Sequence, residues 1–238
     1  MERKAFYITL ICFLFLVLLI FAGFKIVTTK KIEVVEVLVA KETIYPRTKI
    51  SAENTTIVEI PKTCLSDNVL LKKEEVIGRY TQIYATIVKG SMFYSELLEE
   101  GENMSDYPSL LLNEKQVSYS LTSDIIKSSG NSLVAGQKVD IYVTISQKDK
   151  LPATDCLIKA VRIIAIKDRG GKDIKEEKSS KVPYVIIVAV NDDLVKYLKA
   201  AGKLGTIDIY PVNANYQDKE ESIFQADSTI VPYLTSNE

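Results

Sequence analysis

The sequence predicts an α+β protein in three successive parts: an N-terminal transmembrane helix, a compact β-rich domain and a small mixed α/β domain. Three observations lead to this prediction. Residues 5–24 form a run of twenty residues without a charge. Short β-branched segments recur at near-regular spacing over residues 32–100, as in compact β-domains. A strand, a helix and a second strand then follow one another within residues 184–210.

The composition excludes several functional classes. The chain has 238 residues, of which 47% are hydrophobic and 26% charged, and its net charge is −1. Nucleic-acid binders usually carry a clear basic excess, so we predict no nucleic-acid partner. The chain contains no His, which removes Ser-His-Asp and Cys-His nucleophile systems and every His-based metal site. Three Cys are too few for a disulfide framework or a zinc cluster.

Catalytic and phosphate-binding motifs are also missing from the sequence. It has neither a GxxxxGK[ST] loop nor a GxGxxG loop, and none of its acidic residues has the spacing of a calcium loop. We therefore predict a protein that is not an enzyme, with no catalytic residue, cofactor or metal.

The uncharged run at residues 5–24 predicts a membrane anchor over residues 5–27, preceded by a cytoplasmic tail at residues 1–4. Twenty helical residues span roughly 30 Å, which is the thickness of the hydrocarbon core of a bilayer. The alternative is a cleaved signal peptide, whose apolar core is about 7–15 residues long and ends at small residues. The core here is longer and ends at the bulky Phe24.

Basic residues flank both ends of the anchor, so its orientation rests on a comparison of the two sides. Arg3 and Lys4 precede the run, and Lys25, Lys30 and Lys31 follow it. Because long polar regions are translocated largely regardless of charge, the short N-terminal tail favours an N-in orientation. We expect a single-pass protein of the cytoplasmic (inner) membrane with most of the chain outside the cytoplasm.

The region from residue 32 to residue 98 has the pattern of short strands and turns. Residues 34–39, 55–60 and 80–88 are rich in β-branched side chains, and Gly or Pro punctuates the intervals. Residues 99–116 contain acidic residues, Gly and Pro, which predicts a linker.

A second domain is predicted over residues 117–212. Alternating apolar residues over 139–145 predict a half-buried strand, and the continuous apolar run at 184–190 predicts a central strand. A helix follows that ends at Gly202, and residues 206–210 return as a strand. We interpret the last two strands and their helix as a small βαβ-like unit.

Two polar segments of this region are predicted to be loosely held. Residues 168–181 are rich in Gly and in charges of alternating sign, which predicts a mobile loop between two strands. Residues 213–238 are polar and acidic and predict a flexible tail.

The segment 37–61 resembles the SAF domain. Arg47 stands where that family often has Gly, and the downstream Gly-Arg pair at 78–79 fits its second half. The first half matches at Val37, Val39, Ala40, Ile44, Thr48 and Ile50. The resemblance implies a β-clip fold over residues 32–98, with candidate groove or turn positions at Arg47, Thr48, Gly78, Arg79 and Gly90.

The second domain resembles the CpaB/RcpC family. Residues 117–121 and 136–141 are similar to its "VSI…pGDrVDV" signature, with Gln137 in place of a frequent Asp. Gly136 and Asp140 are motif positions that we expect to be structural. The order of anchor, SAF domain and second domain is that of Flp (Tad) pilus assembly proteins of this family.

This resemblance implies a non-enzymatic, membrane-anchored extracytoplasmic component of Flp/Tad (type IVb-like) pilus assembly or secretion machinery. The implied partners are pilin, the membrane platform and a secretin, and self-association into a homo-oligomer is a further expectation. The alternative is a SAF module that binds cell-wall glycan (peptidoglycan), or an assembly chaperone of the flagellar P-ring type.

Cys64 and Cys156 both lie outside the membrane in this topology. Two alternatives stay open for them at this point: a disulfide in an oxidising compartment, or two separate, partly buried thiols.

Overall fold

The structure is a computed structural model that describes residues 2–31, 33–146, 151–213 and 220–235. The chain divides into two compact units, Met1–Met104 and Ser105–Glu238. The helices are α1 (Glu2–Lys31), α2 (Lys73–Val76), α3 (Tyr107–Leu110), α4 (Val195–Leu204) and α5 (Val231–Thr235). The strands are β1 (Val34–Ala40), β2 (Thr55–Pro61), β3 (Tyr80–Thr81), β4 (Leu98–Glu99), β5 (Gln116–Thr122), β6 (Lys138–Ile145), β7 (Ala153–Lys167), β8 (Val185–Asn191), β9 (Gly205–Pro211) and β10 (Ile223–Phe224).

Helix α1 contains the apolar run. In the described part of the chain one helix is long and apolar enough to cross a bilayer, over Phe6–Ile26, with a mean hydropathy of 2.8. Its large apolar side chains are exposed, including Phe21 at 73%. By length and composition this helix agrees with the predicted anchor.

The first unit is built from short antiparallel strands. Strand β1 pairs with β2 over seven residues, and β3 pairs with β4. Leu38 and Ala40 of β1 lie on the same face of the strand and belong to a small core that contains the fully buried Phe93. Helix α2 contributes Val76 to the same core.

The second unit is one antiparallel sheet in the order β5-β8-β7-β6-β9, with β10 added to β7. Helix α4 packs its apolar face, with Leu198 and Ala201 fully buried, into the core of this unit. The predicted βαβ-like unit is wrong in its pairing. Strand β9 joins β6 rather than β8, and every ladder in the sheet is antiparallel. The order strand, helix, strand in the sequence does not show which neighbouring strand the second strand of the pattern pairs with.

Helix α4 also ends later than predicted. It continues through Gly202 to Leu204, and Gly205 begins β9 with an extended backbone (φ −165°). A single Gly does not stop a helix whose neighbouring residues bury an apolar face.

The described part of the predicted tail, residues 220–235, is folded. Strand β10 pairs with β7 through Ile223 and Phe224, and Ile230 lies in the core of the second unit with none of its surface exposed. The prediction of a flexible tail is wrong for these residues, because a few apolar side chains in an acidic segment are enough to bury it. Residues 214–219 and 236–238 of that prediction lie outside the described residues.

Candidate functional site

The second unit carries an open apolar groove of about 780 Å³ between the turn after β5 and the segment that leads into β8. Ile126 is 87% exposed there, and Ile125, Val182 and Tyr184 are also exposed. Exposed apolar side chains that line one groove make it a candidate interaction surface. The groove is lined by Ser123, Asp124, Ile125, Ile126, Arg169, Ser180, Val182, Pro183 and Tyr184.

The turn at residues 123–131 forms one wall of the groove. The backbone N–H of Ser123 donates to the Tyr184 carbonyl over 2.8 Å, which ties this wall to the opposite one. The Asp124 carboxylate accepts a hydrogen bond of 2.8 Å from the backbone N–H of Lys127. Ser128 is fully buried, so the two exposed isoleucines stand on a turn with a defined conformation.

The other wall belongs to the loop that was predicted to be mobile, residues 168–181. The structure gives this loop a defined conformation centred on the buried carboxylate of Asp168. The backbone N–H of Ser180 and the hydroxyl of Ser179 donate to its Oδ2 over 2.8 and 3.0 Å. Its Oδ1 accepts from the backbone N–H groups of Gly170 and Lys172 over 2.8 and 3.0 Å.

These hydrogen bonds change the acidity of the carboxyl group. They stabilise its charged form, the one from Ser180 most, and lower the pKa of Asp168 from 3.8 to about 2. Asp168 is therefore ionised under physiological conditions and organises the loop as an acceptor of four hydrogen bonds.

Arg169 supplies the positive charge of the groove. Its guanidinium lies over the Tyr184 ring at 5.4 Å from the centroid. Among the described residues, no hydrogen bond or ion pair engages this guanidinium. The groove thus combines apolar walls with a cation whose donors are available to a ligand.

In the first unit, four of the five candidate SAF positions lie at neighbouring turns. Arg47 has φ 60°, the left-handed conformation in which Gly is favoured, so the turn is kept despite the substitution. The backbone N–H of Thr48 donates to Thr81 Oγ1 over 2.9 Å. The N–H of Gly78 donates to the carbonyl of Ile50 over 2.9 Å.

Arg79 and Gly90 also make contacts that maintain the fold. Arg79 Nε donates a hydrogen bond of 2.8 Å to Glu100 Oε1. Gly90 lies apart from the other four, in a turn where its N–H donates to the Ala40 carbonyl over 2.7 Å with φ 82°.

The two motif positions of the second unit shape the sheet. Gly136 has φ 91°, and its N–H donates to the Ile163 carbonyl over 2.7 Å. Asp140 Oδ1 accepts a hydrogen bond of 3.0 Å from the N–H of Ala160, a residue with φ 55° at a bulge in β7. Asp140 therefore holds the bulge.

Cys64 and Cys156 have different environments. Cys64 is exposed and Cys156 is buried, and both are free thiols in the structure. Burial raises the pKa of Cys156, whose Sγ contacts the Ile158 carbonyl oxygen at 3.8 Å. A disulfide between them stays a prediction. No group of three or more His, Cys, Asp or Glu able to hold a metal ion occurs among the residues that the structure describes.

The groove itself was missed in the sequence. A signal was present, because two adjacent isoleucines stand between Asp124 and Lys127 in a segment that is not a strand. Apolar residues in a turn are usually buried beneath it, so the pattern alone does not show that they are exposed.

Two family models match the chain, one in each unit. A model of the Flp pilus assembly protein RcpC/CpaB matches residues 109–210, and a SAF domain model matches residues 35–93. These two matches together support the RcpC/CpaB family with a SAF domain. The SAF match falls in the first unit and the RcpC/CpaB match in the second.

Other likenesses are distant. A crystal structure of Salmonella FlgA in closed form matches with 10% identity and a TM-score of 0.26. That match covers 66% of this chain and 58% of the FlgA chain, and it supports no functional argument. No curated protein matches the sequence.

Proposed function

We propose that this RcpC/CpaB protein is a non-enzymatic, extracytoplasmic component of Flp/Tad pilus assembly or secretion machinery, anchored by α1 and acting through protein contacts. The observation that carries the proposal is the order of parts along one chain. An apolar helix over Phe6–Ile26 precedes a SAF domain, which precedes the RcpC/CpaB domain.

The geometry supports contacts as the mode of action. Sequence motifs for nucleophilic or phosphate chemistry are missing, and the conspicuous feature of the second unit is an exposed apolar groove whose walls contain internal hydrogen bonds. Pilin and the membrane platform are the proposed partners, with a secretin where an outer membrane exists. Self-association remains part of the proposal.

A piliation assay tests the role. Cells without the gene are expected to lose surface pili, and the full chain is expected to restore them. A variant with α1 replaced by an unrelated transmembrane helix should restore piliation, whereas the chain without residues 2–31 should not. Normal piliation in cells without the gene would overturn the proposal.

Cys64 tests the proposed N-in orientation. Its exposed thiol should react with a membrane-impermeant maleimide in intact cells, and Cys64→Ser should abolish this labelling. Labelling only after lysis would place the domain in the cytoplasm. Labelling of intact cells only after reduction would show that Cys64 is held in a disulfide.

A further inference from the structure

We infer that the groove of the second unit binds a partner segment in which a bulky aliphatic side chain lies next to a carboxylate. The aliphatic side chain packs between Ile125, Ile126 and Val182, and the carboxylate accepts hydrogen bonds from Arg169. This inference rests on the proposed function, because it names the chemistry of a contact that the assembly role requires.

The apolar half of the inference rests on exposure. Ile126 is 87% exposed, Ile125 53%, Val182 47% and Tyr184 42%, and all four line one groove of about 780 Å³. Removing such side chains from water stabilises a complex by roughly 25 cal/mol per Å² of apolar surface. An aliphatic side chain fits the apolar part of the walls, which includes Ile125, Ile126 and Val182.

The acidic half rests on the available donors of Arg169, because the other charged group of the lining, the Asp124 carboxylate, already accepts a hydrogen bond from the backbone N–H of Lys127. Three lysines near the groove already use their ammonium groups in contacts within the unit. Lys127 contacts Asp208 at 3.5 Å, Lys172 donates to the Lys178 carbonyl over 3.2 Å, and Lys181 donates to the carbonyls of Lys175 and Glu176. Arg169 is left with its donors available, stacked on Tyr184. A guanidinium in this state prefers a carboxylate, which it binds through two parallel hydrogen bonds.

The walls are organised before a ligand arrives. Asp168 accepts four hydrogen bonds directly beside Arg169, and the Ser123–Tyr184 hydrogen bond joins the two walls. Pre-organised walls reduce the conformational entropy lost on binding. Arg and Tyr are also the residue types that dominate the energetics of protein interfaces.

The test uses blocked dipeptides as probes. The full chain is placed in lipid nanodiscs with 13C-labelled Ile δ1 methyl groups and titrated with acetyl-Leu-Glu-amide. We expect saturable NMR shifts of the Ile125 and Ile126 methyl groups. Acetyl-Leu-Gln-amide should bind about three- to tenfold more weakly, because it lacks the charge-assisted hydrogen bonds. Acetyl-Ser-Glu-amide, which lacks the aliphatic group, should give no saturable shift.

Matched variants assign each half of the site. Arg169→Gln should remove the preference for the Glu probe, whereas Lys178→Gln in the same loop should leave it unchanged. Ile126→Ser should weaken binding of both Leu probes, whereas Ile83→Ser, at a side chain 64% exposed in the first unit, should not.

Several results would overturn the inference. They are the absence of saturable shifts, equal affinity for the Glu and Gln probes, and a preference that survives Arg169→Gln. Broadening of the Ile126 methyl signal by a paramagnetic lipid would also overturn it, because the membrane would then cover the groove. None of these outcomes depends on piliation, so they are distinguishable from a failure of the proposed function.

Discussion

Arg162 Nε donates a hydrogen bond of 2.9 Å to Glu221 Oε1, and the two side chains are only 19% and 16% exposed. Arg162 lies in the middle of β7, and Glu221 stands just before β10. The same guanidinium donates through Nη2 to the Leu111 carbonyl over 3.0 Å, and Gln116 Nε2 donates to Glu221 Oε2 over 3.1 Å. One ion pair therefore holds the segment before β5 and the C-terminal segment on the sheet.

Replacing Glu221 by Gln should destabilise the second unit by about 1–3 kcal/mol, because the largely buried Arg162 loses its counter-ion. Thermal unfolding of the full chain measures the effect as a lower midpoint for that unit. Glu177→Gln, at an exposed loop position, is the control and should change the midpoint little. Equal effects of the two substitutions would show that the ion pair does not stabilise the fold.

Replacing Ile230 by Ala should destabilise the second unit by about 2–5 kcal/mol, because it leaves a cavity in the core. Leu151→Ala, at a side chain 89% exposed in the same unit, should change stability by less than about 0.5 kcal/mol. Denaturant unfolding compares the two. If Ile230→Ala left the stability unchanged, the result would support the flexible tail that the composition predicted.

Replacing Asp168 by Asn should loosen the loop at 168–181. The amide NH₂ of Asn cannot accept the hydrogen bonds that one carboxylate oxygen receives from its loop neighbours. We expect faster cleavage by trypsin after the basic residues of this loop, located by mass spectrometry. Asp173→Asn is the matched control. Among the described residues, the Asp173 carboxylate accepts one hydrogen bond, from the N–H of Lys175, and the Asn oxygen can keep it. The idea fails if both variants are cut at the wild-type rate.

The depressed pKa of Asp168 also predicts how loop order depends on pH. The carboxyl group of Asp168 has a pKa of about 2 in the folded state, whereas its ordinary pKa is 3.8. Its contribution to order is therefore fully present above about pH 4 and is lost as the pH falls from there through about 2. Amide hydrogen exchange at Ser180 and Lys172 should report increased opening only in that acidic range. Opening that begins near neutral pH would contradict this assignment.

Replacement by Ala should have opposite effects on the stability of the second unit at Gly202 and at Gly205. A Cβ at Gly205 would overlap the backbone carbonyl of Thr144 in the paired strand, so Gly205→Ala should destabilise the unit by about 1–3 kcal/mol or more. A Cβ at Gly202 would meet only Ile207 Cδ1 at 3.9 Å, so Gly202→Ala in α4 should stabilise it by about 0.5–1 kcal/mol. Unfolding midpoints of the two variants measure the contrast, and a tolerated Gly205→Ala would contradict the close strand approach.

Much of the fold could be predicted where neighbouring residues decide it. The apolar run predicted α1, and alternating side chains predicted β6, because periodicity follows from backbone geometry. The family motifs pointed to Gly136 and Asp140 as structural positions, but the bulge that Asp140 holds is visible only in the paired strands. The groove could not be predicted, since its walls lie more than forty residues apart in the sequence.

The sequence by itself determined the apolar helix, the two successive domains and the resemblance to the RcpC/CpaB family, because each depends on residue types and spacings within short segments. Tertiary structure decided three other features. It placed β9 beside β6, drew residues 220–235 onto the sheet, and left Ile126 exposed next to Arg169. Contacts between distant segments decide these features, and their free energies depend on burial and pairing across the whole unit rather than on any local pattern.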